Sequence, residues 1–390
     1  LPDRRWAGRE GREGEKGMSG PETSLFDIEE MEINFGPQHP ATHGVLRVMV
    51  KLDGEKIVES KPIIGYLHRG TEKLFETMDF PQCIPHTDRM DYVAAATNNQ
   101  GFCITMEKLL GIEIPPRAAY IRMILAELQR LASHLVWFAT HAIDIGAITP
   151  FFYNFRDRDE ILDLFEEYCG ARLTLNTMKI GGVPYELPDG WVDRCRKVAD
   201  AFPAKIDEYE TLLTENRIWK KRTIGIGVIS PEEAIDWGLT GPPLRGSGIR
   251  WDIRKVFPYD RYDEIDFDIP IGKNCDTYDR YLVRVEEMRQ SVRIIQQCLD
   301  RLPDGPVVAR APKVLRAKEG MVYGSVEAPK GELGYFVVTT EKSSKPYRCH
   351  VRPPSFINLQ AMPAMIEGHL VADMVAVIGT LDIVLGEIDR

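Results

Sequence analysis

The stretch that decides the fold is PPRAAYIRMILAELQRLASHLVWFATHA, residues 115–142. The Pro115-Pro116 pair marks a helix start, and the run that follows is rich in Ala, Leu, Met and Ile on nearly all of its faces. Because a helix that is apolar all round is buried, residues 117–142 are predicted to form the central helix of the fold. Helical periodicity elsewhere predicts further helices that pack around it as a bundle, at residues 71–79, 86–110, 157–168, 190–217, 277–302 and 359–380.

Two pairs of apolar runs predict β-hairpins near the two ends of the chain. Residues 45–52 and 56–64 flank an Asp53-Gly54 turn signal, and residues 320–341 turn around Pro329-Lys330-Gly331. The fold class predicted from these elements is mainly α (α+β), a helical bundle with small β-hairpins near the N- and C-terminal regions.

The domain organisation follows from composition along the chain of 390 residues. Residues 1–25 are charged and glycine-rich, which predicts a flexible N-terminal tail. Residues 26–390 are predicted to form a single domain. Within it, residues 223–276 are full of Gly, Pro, Asp and Tyr and are expected to be an irregular connection.

Overall composition excludes several classes of protein. The net charge of −10 argues against a general nucleic-acid binder, and no nucleic-acid motif is present. The seven cysteines lie far apart, without the spacing of zinc or iron–sulfur ligands, and fit free thiols in a reducing compartment. The best candidate for a membrane span, residues 369–386, is interrupted by Asp373 and Asp382, so membrane association is expected to be peripheral.

The segment GPQHPATHG, residues 36–44, places two histidines in a loop that can form neither a helix nor a long strand. Pro37 and Pro40 stiffen the backbone and remove amide donors. A rigid loop that carries His39 and His43 favours proton donation, metal ligation or the anchoring of a polar ligand. A turn whose histidines are simply hydrogen-bonded remains the alternative for this segment alone.

Three other stretches carry candidate chemistry. Asp88 and Tyr92 are spaced i and i+4 on a predicted helix, where Tyr92 is either a hydrogen-bond donor or a core residue with a satisfied hydroxyl. Asp144 follows apolar residues at the end of the central helix, and a buried carboxylate needs a partner such as a histidine. His68-Arg69-Gly70 is either a basic contact point or a solvated charge cluster.

Taken in order, a set of long motifs resembles one family closely. The motifs are GPQHPATHG (36–44), GYLHRGTEKL (65–74), DRMDY (88–92), HAIDIGAITPFF (141–152), GGVP (181–184), LRGSGIRWDIRK (244–255), KPYRCHVRPPSF (345–356) and LDIVLGEIDR (381–390). The family is the D-type quinone-site subunit of respiratory complex I, the NADH:quinone oxidoreductase. It is related to the large subunits of nickel–iron hydrogenases, and the resemblance implies that fold.

The resemblance also implies residue roles. The headgroup-binding pair falls on His43 and Tyr92, and the carboxylate partner of the histidine falls on Asp144, which together form the implied catalytic set. A quinone gains negative charge on reduction, so an imidazole and a phenol are suitable donors. His39 is implied as a further quinone-site or loop-fixing residue.

The resemblance implies a neighbouring cluster but no metal in this chain. Arg69 and Arg89 match arginines beside a terminal [4Fe-4S] cluster that another subunit ligates. The stretches that carry cysteine pairs in hydrogenases contain no cysteine here, so no nickel–iron site is expected. Many relatives have a histidine where this chain has Thr174. Without that histidine, proton-coupled tuning of the cluster's reduction potential is not expected from this position.

The predicted function is therefore that of a subunit of a proton-pumping NADH:quinone oxidoreductase. The expected partners are the cluster-bearing B-type subunit, the C-type and other peripheral-arm subunits, the H-type membrane-arm subunit and quinone itself. No cofactor is expected to be bound covalently. The expected location is peripheral, on the cytoplasmic face of a bacterial inner membrane or the matrix face in mitochondria. A hydrogenase-like large subunit and a non-catalytic scaffold of a related complex are the alternatives.

Overall fold

The computed structural model describes residues 31–42, 44–312 and 314–390. The tail predicted at residues 1–25 and the side chain of His43 lie outside the described part of the chain. The described helices, by far the larger part of the secondary structure, are α1 (Thr71–Phe75), α2 (Phe80–Thr87), α3 (Ala95–Leu110), α4 (Pro116–Asp144), α5 (Thr149–Cys169), α6 (Trp191–Leu213), α7 (Arg217–Thr223), α8 (Pro231–Asp236), α9 (Pro242–Gly246), α10 (Ile253–Val256), α11 (Thr277–Asp300), α12 (Pro354–Gln360), α13 (Met362–Ile366), α14 (Val371–Leu381) and α15 (Leu385–Asp389).

Two small antiparallel sheets complete the described fold. The first contains β1 (Met31–Phe35), β2 (Arg47–Asp53) and β3 (Lys56–Ile63), and the second contains β4 (Gly320–Ala328), β5 (Gly331–Thr339) and β6 (Arg348–Arg352). Both predicted hairpins are present, each as two strands of a three-stranded sheet. The mainly α (α+β) class is confirmed, while the likeness to hydrogenase large subunits and the single domain stay predictions.

The central position of α4 is confirmed. It contacts α3, α5, α11 and α14, and nearly all of its apolar residues from Ala118 to Ala142 are buried. Charged residues on α4 are buried as well and find partners on other elements. Arg122 Nη2 lies 2.5 Å from Glu107 Oε1, and His134 Nε2 lies 3.0 Å from Glu287 Oε2. Because the buried charges of Arg122, Glu127 and Arg130 are compensated, the helix tolerates these ionic side chains on an otherwise apolar surface.

The apolar residues form two separate cores. The larger core joins α3, α4, α5, α6 and α11 to the second sheet. The smaller core packs the first sheet against α13, α14 and α15, so the beginning and the end of the chain are stabilised together. The 3₁₀ turn at Pro40–Thr42, which precedes His43, contacts α14.

The predicted helix at residues 86–110 is wrong in its first part, because α2 ends at Thr87 and α3 begins only at Ala95. In the loop between them the Oδ1 atom of Asp91 accepts a hydrogen bond of 3.1 Å from the amide of Val93. This short turn competes with helical hydrogen bonding. Asp88 and Tyr92 therefore do not share a helix face.

Other helix predictions also needed correction. The helix expected at 157–168 begins at Thr149, and the one expected at 190–217 ends at Leu213, before the separate α7. The helix expected at 71–79 ends at Phe75, because Asp79 and Gln82 form a capping box that starts α2. The helix expected at 359–380 is divided into α12, α13 and α14, with Gly368 at a φ of 84° in the break before α14.

Candidate functional site

The loop between α2 and α3 presents Tyr92 at the surface, whereas the carboxylates of Asp88 and Asp91 in the same loop are buried. Asp88 anchors the loop, since it accepts hydrogen bonds from Asn99 Nδ2 and, at 3.1 Å, from the amide of Asn176. Tyr92 is 37% exposed. Burial raises the pKa of Tyr92 and Asp91 adds to the rise, whereas Lys330 and Arg69 oppose it. The loop thus offers a protonated phenol to a ligand or partner.

The histidine loop is fixed by its own hydrogen bonds. The amide of Ala41 donates to His39 Nδ1 at 3.2 Å, and the His39 ring packs on Phe35 with centroids 4.2 Å apart. Thr42 Oγ1 donates to the carbonyl of Pro37 at 2.9 Å and to that of His39 at 2.7 Å. His39 therefore holds the loop in shape up to His43, whose own position is outside the described residues.

Asp144 is the last residue of α4 and is partly buried. Burial alone raises the pKa of its carboxyl to about 6. None of the described residues forms a hydrogen bond or an ion pair with the carboxylate. His141, one turn earlier, is not its cationic partner, because burial and the charge of Arg284 lower the pKa of this histidine to about 3.

Two of the sequence motifs, GYLHRGTEKL and LDIVLGEIDR, meet at the end of the chain. The Asp389 carboxylate accepts hydrogen bonds from the amides of Gly65 at 2.8 Å and Leu67 at 2.6 Å. His68 Nδ1 lies 2.6 Å from the carbonyl oxygen of Asp389. Within the described residues, no group of three or more His, Cys, Asp or Glu side chains is arranged to hold a metal ion.

The two arginines assigned beside a neighbouring cluster are brought together on the surface. Arg69 Nη2 donates to the carbonyl oxygen of Arg89 at 2.6 Å, and both residues are exposed. Arg89 Nη1 also lies 3.7 Å from Asp88 Oδ2. The Arg69 charge also acts on the Tyr92 phenol, where it opposes the rise in pKa that burial causes. Thr174 lies two residues before Asn176, in the loop that binds Asp88.

Lys330 is a residue of this site that the sequence reasoning missed. It lies in the β4–β5 turn, where a lysine is normally solvated, yet its side chain is 1% exposed. Its Nζ lies 3.1 Å from Asp91 Oδ2 and 3.8 Å from Asp382 Oδ2, and it donates to Ser133 Oγ at 3.1 Å. A signal for this burial was available in the sequence. Asp91 and Asp382 stand in apolar surroundings, and buried carboxylates need a cation as partner.

The described residues bring Tyr92, Arg69 and Arg89 together, while Asp144 stands at the end of α4. Helix α14 contacts both α4 and the 3₁₀ turn before His43, so it joins the helix that ends at Asp144 to the histidine loop. The Trp137 indole donates to the carbonyl oxygen of Gly379 at 2.8 Å, which fixes α14 near the end of α4.

Comparisons with known proteins identify the chain. A family model described as "Respiratory-chain NADH dehydrogenase, 49 Kd subunit" matches residues 144–319 and 313–390. The class is therefore that of respiratory-chain NADH dehydrogenase subunits.

Individual relatives narrow this class to one type of subunit. A D-type subunit of the NADH-quinone oxidoreductase of Solibacter usitatus is 57% identical, over 95% of this chain and 100% of that protein. The D-type subunits of Geotalea uraniireducens and Desulforamulus reducens are 55% and 50% identical, over 94% and 93% of this chain and 100% and 98% of those proteins. The chain belongs to the family of D-type NADH-quinone oxidoreductase subunits and is a component of complex I. The predicted family is thereby confirmed.

In the described part of the chain, no helix has both the length and the apolar character needed to cross a membrane.

Proposed function

We propose that this subunit forms, together with the cluster-bearing B-type subunit, the cavity in which complex I reduces quinone. The observation that carries the proposal is the Tyr92 phenol, which is protonated, partly exposed and next to the exposed Arg69 and Arg89. A phenol in such a position can donate a hydrogen bond to a quinone carbonyl as that oxygen gains negative charge.

His43 is proposed as the second donor to the quinone headgroup. His39 stabilises the turn that leads into His43, because its ring Nδ1 accepts the amide of Ala41 and its carbonyl oxygen accepts the hydroxyl of Thr42. We assign His39 to the quinone site only as a loop-fixing residue, since its Nδ1 already accepts the amide of Ala41.

Asp144 is proposed as the carboxylate partner of His43. Its carboxyl group lacks a partner among the described residues, and its raised pKa reflects burial without a compensating cation. A protonated imidazole at hydrogen-bond distance would supply that compensation and would lower the pKa again. When reduced quinone takes the imidazole proton, Asp144 loses its cationic partner. The carboxylate must then rearrange or bind a proton. This local change of charge is proposed to trigger a conformational response toward the membrane arm.

The neighbouring surface is proposed to face the iron–sulfur cluster of the B-type subunit. Arg69 and Arg89 would raise the potential of a nearby cluster, because positive charge stabilises its reduced form. The C-type and other peripheral-arm subunits and the H-type membrane-arm subunit are proposed as further neighbours. The complex is proposed to pump protons, with this chain carrying no metal chemistry and lying on the cytoplasmic or matrix face of the membrane.

The substitution Tyr92→Phe tests the proposal. It removes one hydroxyl that donates no hydrogen bond to the described residues, so the fold should persist. We expect NADH:quinone reductase activity to fall by about a hundredfold, the lower range for a positioned acid. Electron transfer from NADH to an artificial acceptor upstream should stay unchanged.

Two results would contradict this proposal. Equal losses of quinone and artificial-acceptor activity would indicate damaged assembly rather than a lost donor. Unchanged quinone reduction by a complex that carries both Tyr92→Phe and His43→Ala would favour a scaffold role.

A further inference from the structure

The loop between α2 and α3, residues 88–94, is called the tyrosine loop below, and its backbone after Tyr92 is fixed by Asp91. The amide of Val93, which belongs to the peptide group directly after Tyr92, donates to Asp91 Oδ1 at 3.1 Å. The amide of Ala94, in the next peptide group, donates to the carbonyl oxygen of Asp91 at 3.1 Å. The position of Asp91 therefore decides the course of the backbone at the tyrosine.

Asp91 is held from outside the tyrosine loop by Lys330. Asp91 Oδ2 lies 3.1 Å from Lys330 Nζ, and both side chains are only 1% exposed. Lys330 Nζ also donates to Ser133 Oγ on α4 at 3.1 Å, and the Lys330 carbonyl oxygen accepts a hydrogen bond of 3.1 Å from Asn358 Nδ2. Because a buried charge that lost its partner would stay unpaired, this ion pair keeps one geometry. It fastens the tyrosine loop to α4 and to the β4–β5 turn.

Gln129 makes a second contact between α4 and the tyrosine loop. Its Nε2 donates to the carbonyl oxygen of Val93 at 2.7 Å. Gln129 lies four residues before Ser133, so the two side chains stand one turn apart on the same face of the helix. This face of α4 reaches the tyrosine loop twice, directly at Val93 and through Lys330 at Asp91.

The Gln129 side chain places a polar amide in an apolar part of α4. Gln129 is 3% exposed, and Leu128 and Leu131 beside it are buried as well. Its Oε1 has no hydrogen-bond partner among the described residues, so the amide group forms one hydrogen bond there, to Val93. Burying an amide with half of its hydrogen-bonding capacity unused is unfavourable, and an apolar side chain would stabilise the core better. The contact with the tyrosine loop therefore explains this amide, and core packing does not.

We propose that Gln129 is a positioning residue for quinone reduction, which aligns the Tyr92 hydroxyl with the quinone headgroup. The inference rests on the proposed function, in which Tyr92 donates a hydrogen bond to quinone. The Tyr92 side chain is partly exposed, so its direction depends on the backbone that carries it. Gln129 holds that backbone on one side of the tyrosine, at Val93. Lys330 holds it on the other side, at Asp91.

Gln129→Met in the whole complex tests this role, because it removes the amide and keeps the length of the side chain. The Val93 carbonyl oxygen loses its donor, so the tyrosine loop should loosen while the fold persists. We expect kcat for quinone to fall by about tenfold, since a misplacement of about 1 Å can cost about a hundredfold. KM should change less than kcat, because the tyrosine hydrogen bond strengthens as the quinone gains charge. Electron transfer from NADH to an artificial acceptor upstream should stay unchanged.

Combination with Tyr92→Phe separates positioning from a structural role. If Gln129 acts through the Tyr92 hydroxyl, Gln129→Met should cause no further loss of kcat once that hydroxyl is absent. A residue that only supports the fold would lower kcat by the same factor in both backgrounds, and this result would overturn the positioning role. An unchanged kcat in the single variant Gln129→Met would overturn it as well.

Gln100→Met is the matched control. Gln100 on α3 is also buried, donates from Nε2 to Asp260 Oδ2 at 2.7 Å, and has no partner for Oε1 among the described residues. Its hydrogen bond leads to Asp260 and not to the tyrosine loop, so kcat and KM for quinone should keep their values. Equal losses of kcat in Gln100→Met and Gln129→Met would overturn the assignment. Failure of the proposed function would instead appear as normal quinone reduction by Tyr92→Phe alone.

Discussion

Asp144 is the residue whose titration distinguishes a free carboxyl from a paired one. Burial raises its pKa from 3.8 to about 6, so between these two values the folded chain retains a proton that the unfolded chain has released. Stability from this group is therefore present below about pH 4 and is lost as pH rises toward 6. A cationic His43 in contact would reverse the direction by holding the pKa low.

Asp144→Asn is expected to keep the fold and the position of the histidine loop while it reduces quinone turnover and weakens the coupling of turnover to proton pumping. The amide cannot hold a charged imidazole, although it fills the same volume. Measured together, the quinone reductase rate and the proton-to-electron ratio in sealed vesicles check this expectation. Normal turnover with normal pumping, or a structure in which the two side chains are too far apart for a bridging water, would rule out the pair.

At the scale of single residues, the sequence pointed to Tyr92 and Asp144, whose roles stay predictions, but not to the buried Lys330. Tyr92 and Asp144 came from family motifs, and the structure gives each a raised pKa from burial. Lys330 was treated as a turn residue because Pro-Lys-Gly is a turn signal. Its burial depends on Asp91 and Asp382, which are far away in sequence, and no local pattern contains that information.

At the scale of elements, the contact between α4 and α14 positions both sides of the proposed site. The two helices approach at Gly379, where an added Cβ would lie 2.5 Å from Cδ2 of His141. The His141 ring is held between Trp137 and Trp219, with ring centroids 5.5 and 5.0 Å away, so it has little room to move. The glycine is therefore required by close packing rather than by its backbone angle.

Gly379→Ala should move α14 away from α4 and disturb the 3₁₀ turn that contacts α14. Such overpacking commonly costs about 1–3 kcal/mol. We expect faster thermal inactivation of the complex and a larger loss of quinone activity than of artificial-acceptor activity. Gly320→Ala is the control, because its nearest neighbour would be Leu109 Cδ1 at 4.0 Å. Equal thermal stability of the two variants would contradict the packing argument.

The elements that the sequence predicted well are those with long, regular patterns. Helix α4 was found within a few residues because its apolar faces and its proline start are local signals. The break before α3 was missed because Asp88 is anchored by Asn176, a contact across 88 residues. Strands β1 and β6 were missed because each is only five residues long. Each adds to the edge of a predicted hairpin, β1 by pairing with β2 and β6 by pairing with β5.

At the scale of the whole molecule, the surface beyond Asp144 exposes several large apolar side chains. A half-open pocket of about 370 Å³ lies between the start of α5 and the turn from α6 to α7. Around it Ile148, Phe152 and Ile218 are each at least 60% exposed. Large apolar side chains that are exposed in this way are a feature of chains that are covered by partner subunits in their working state.

The isolated chain is accordingly expected to be poorly soluble or incompletely folded. Water in contact with these apolar side chains favours self-association, and the stabilising energy of partner contacts is missing when the chain is alone. Size-exclusion chromatography and calorimetry of the separately expressed chain provide the measurement, with the chain co-expressed with its B-type partner as the control. Aggregates or a broad, non-cooperative transition are expected for the chain alone, and a sharper transition for the pair. A monodisperse monomer that melts cooperatively on its own would show that the fold does not depend on its partners.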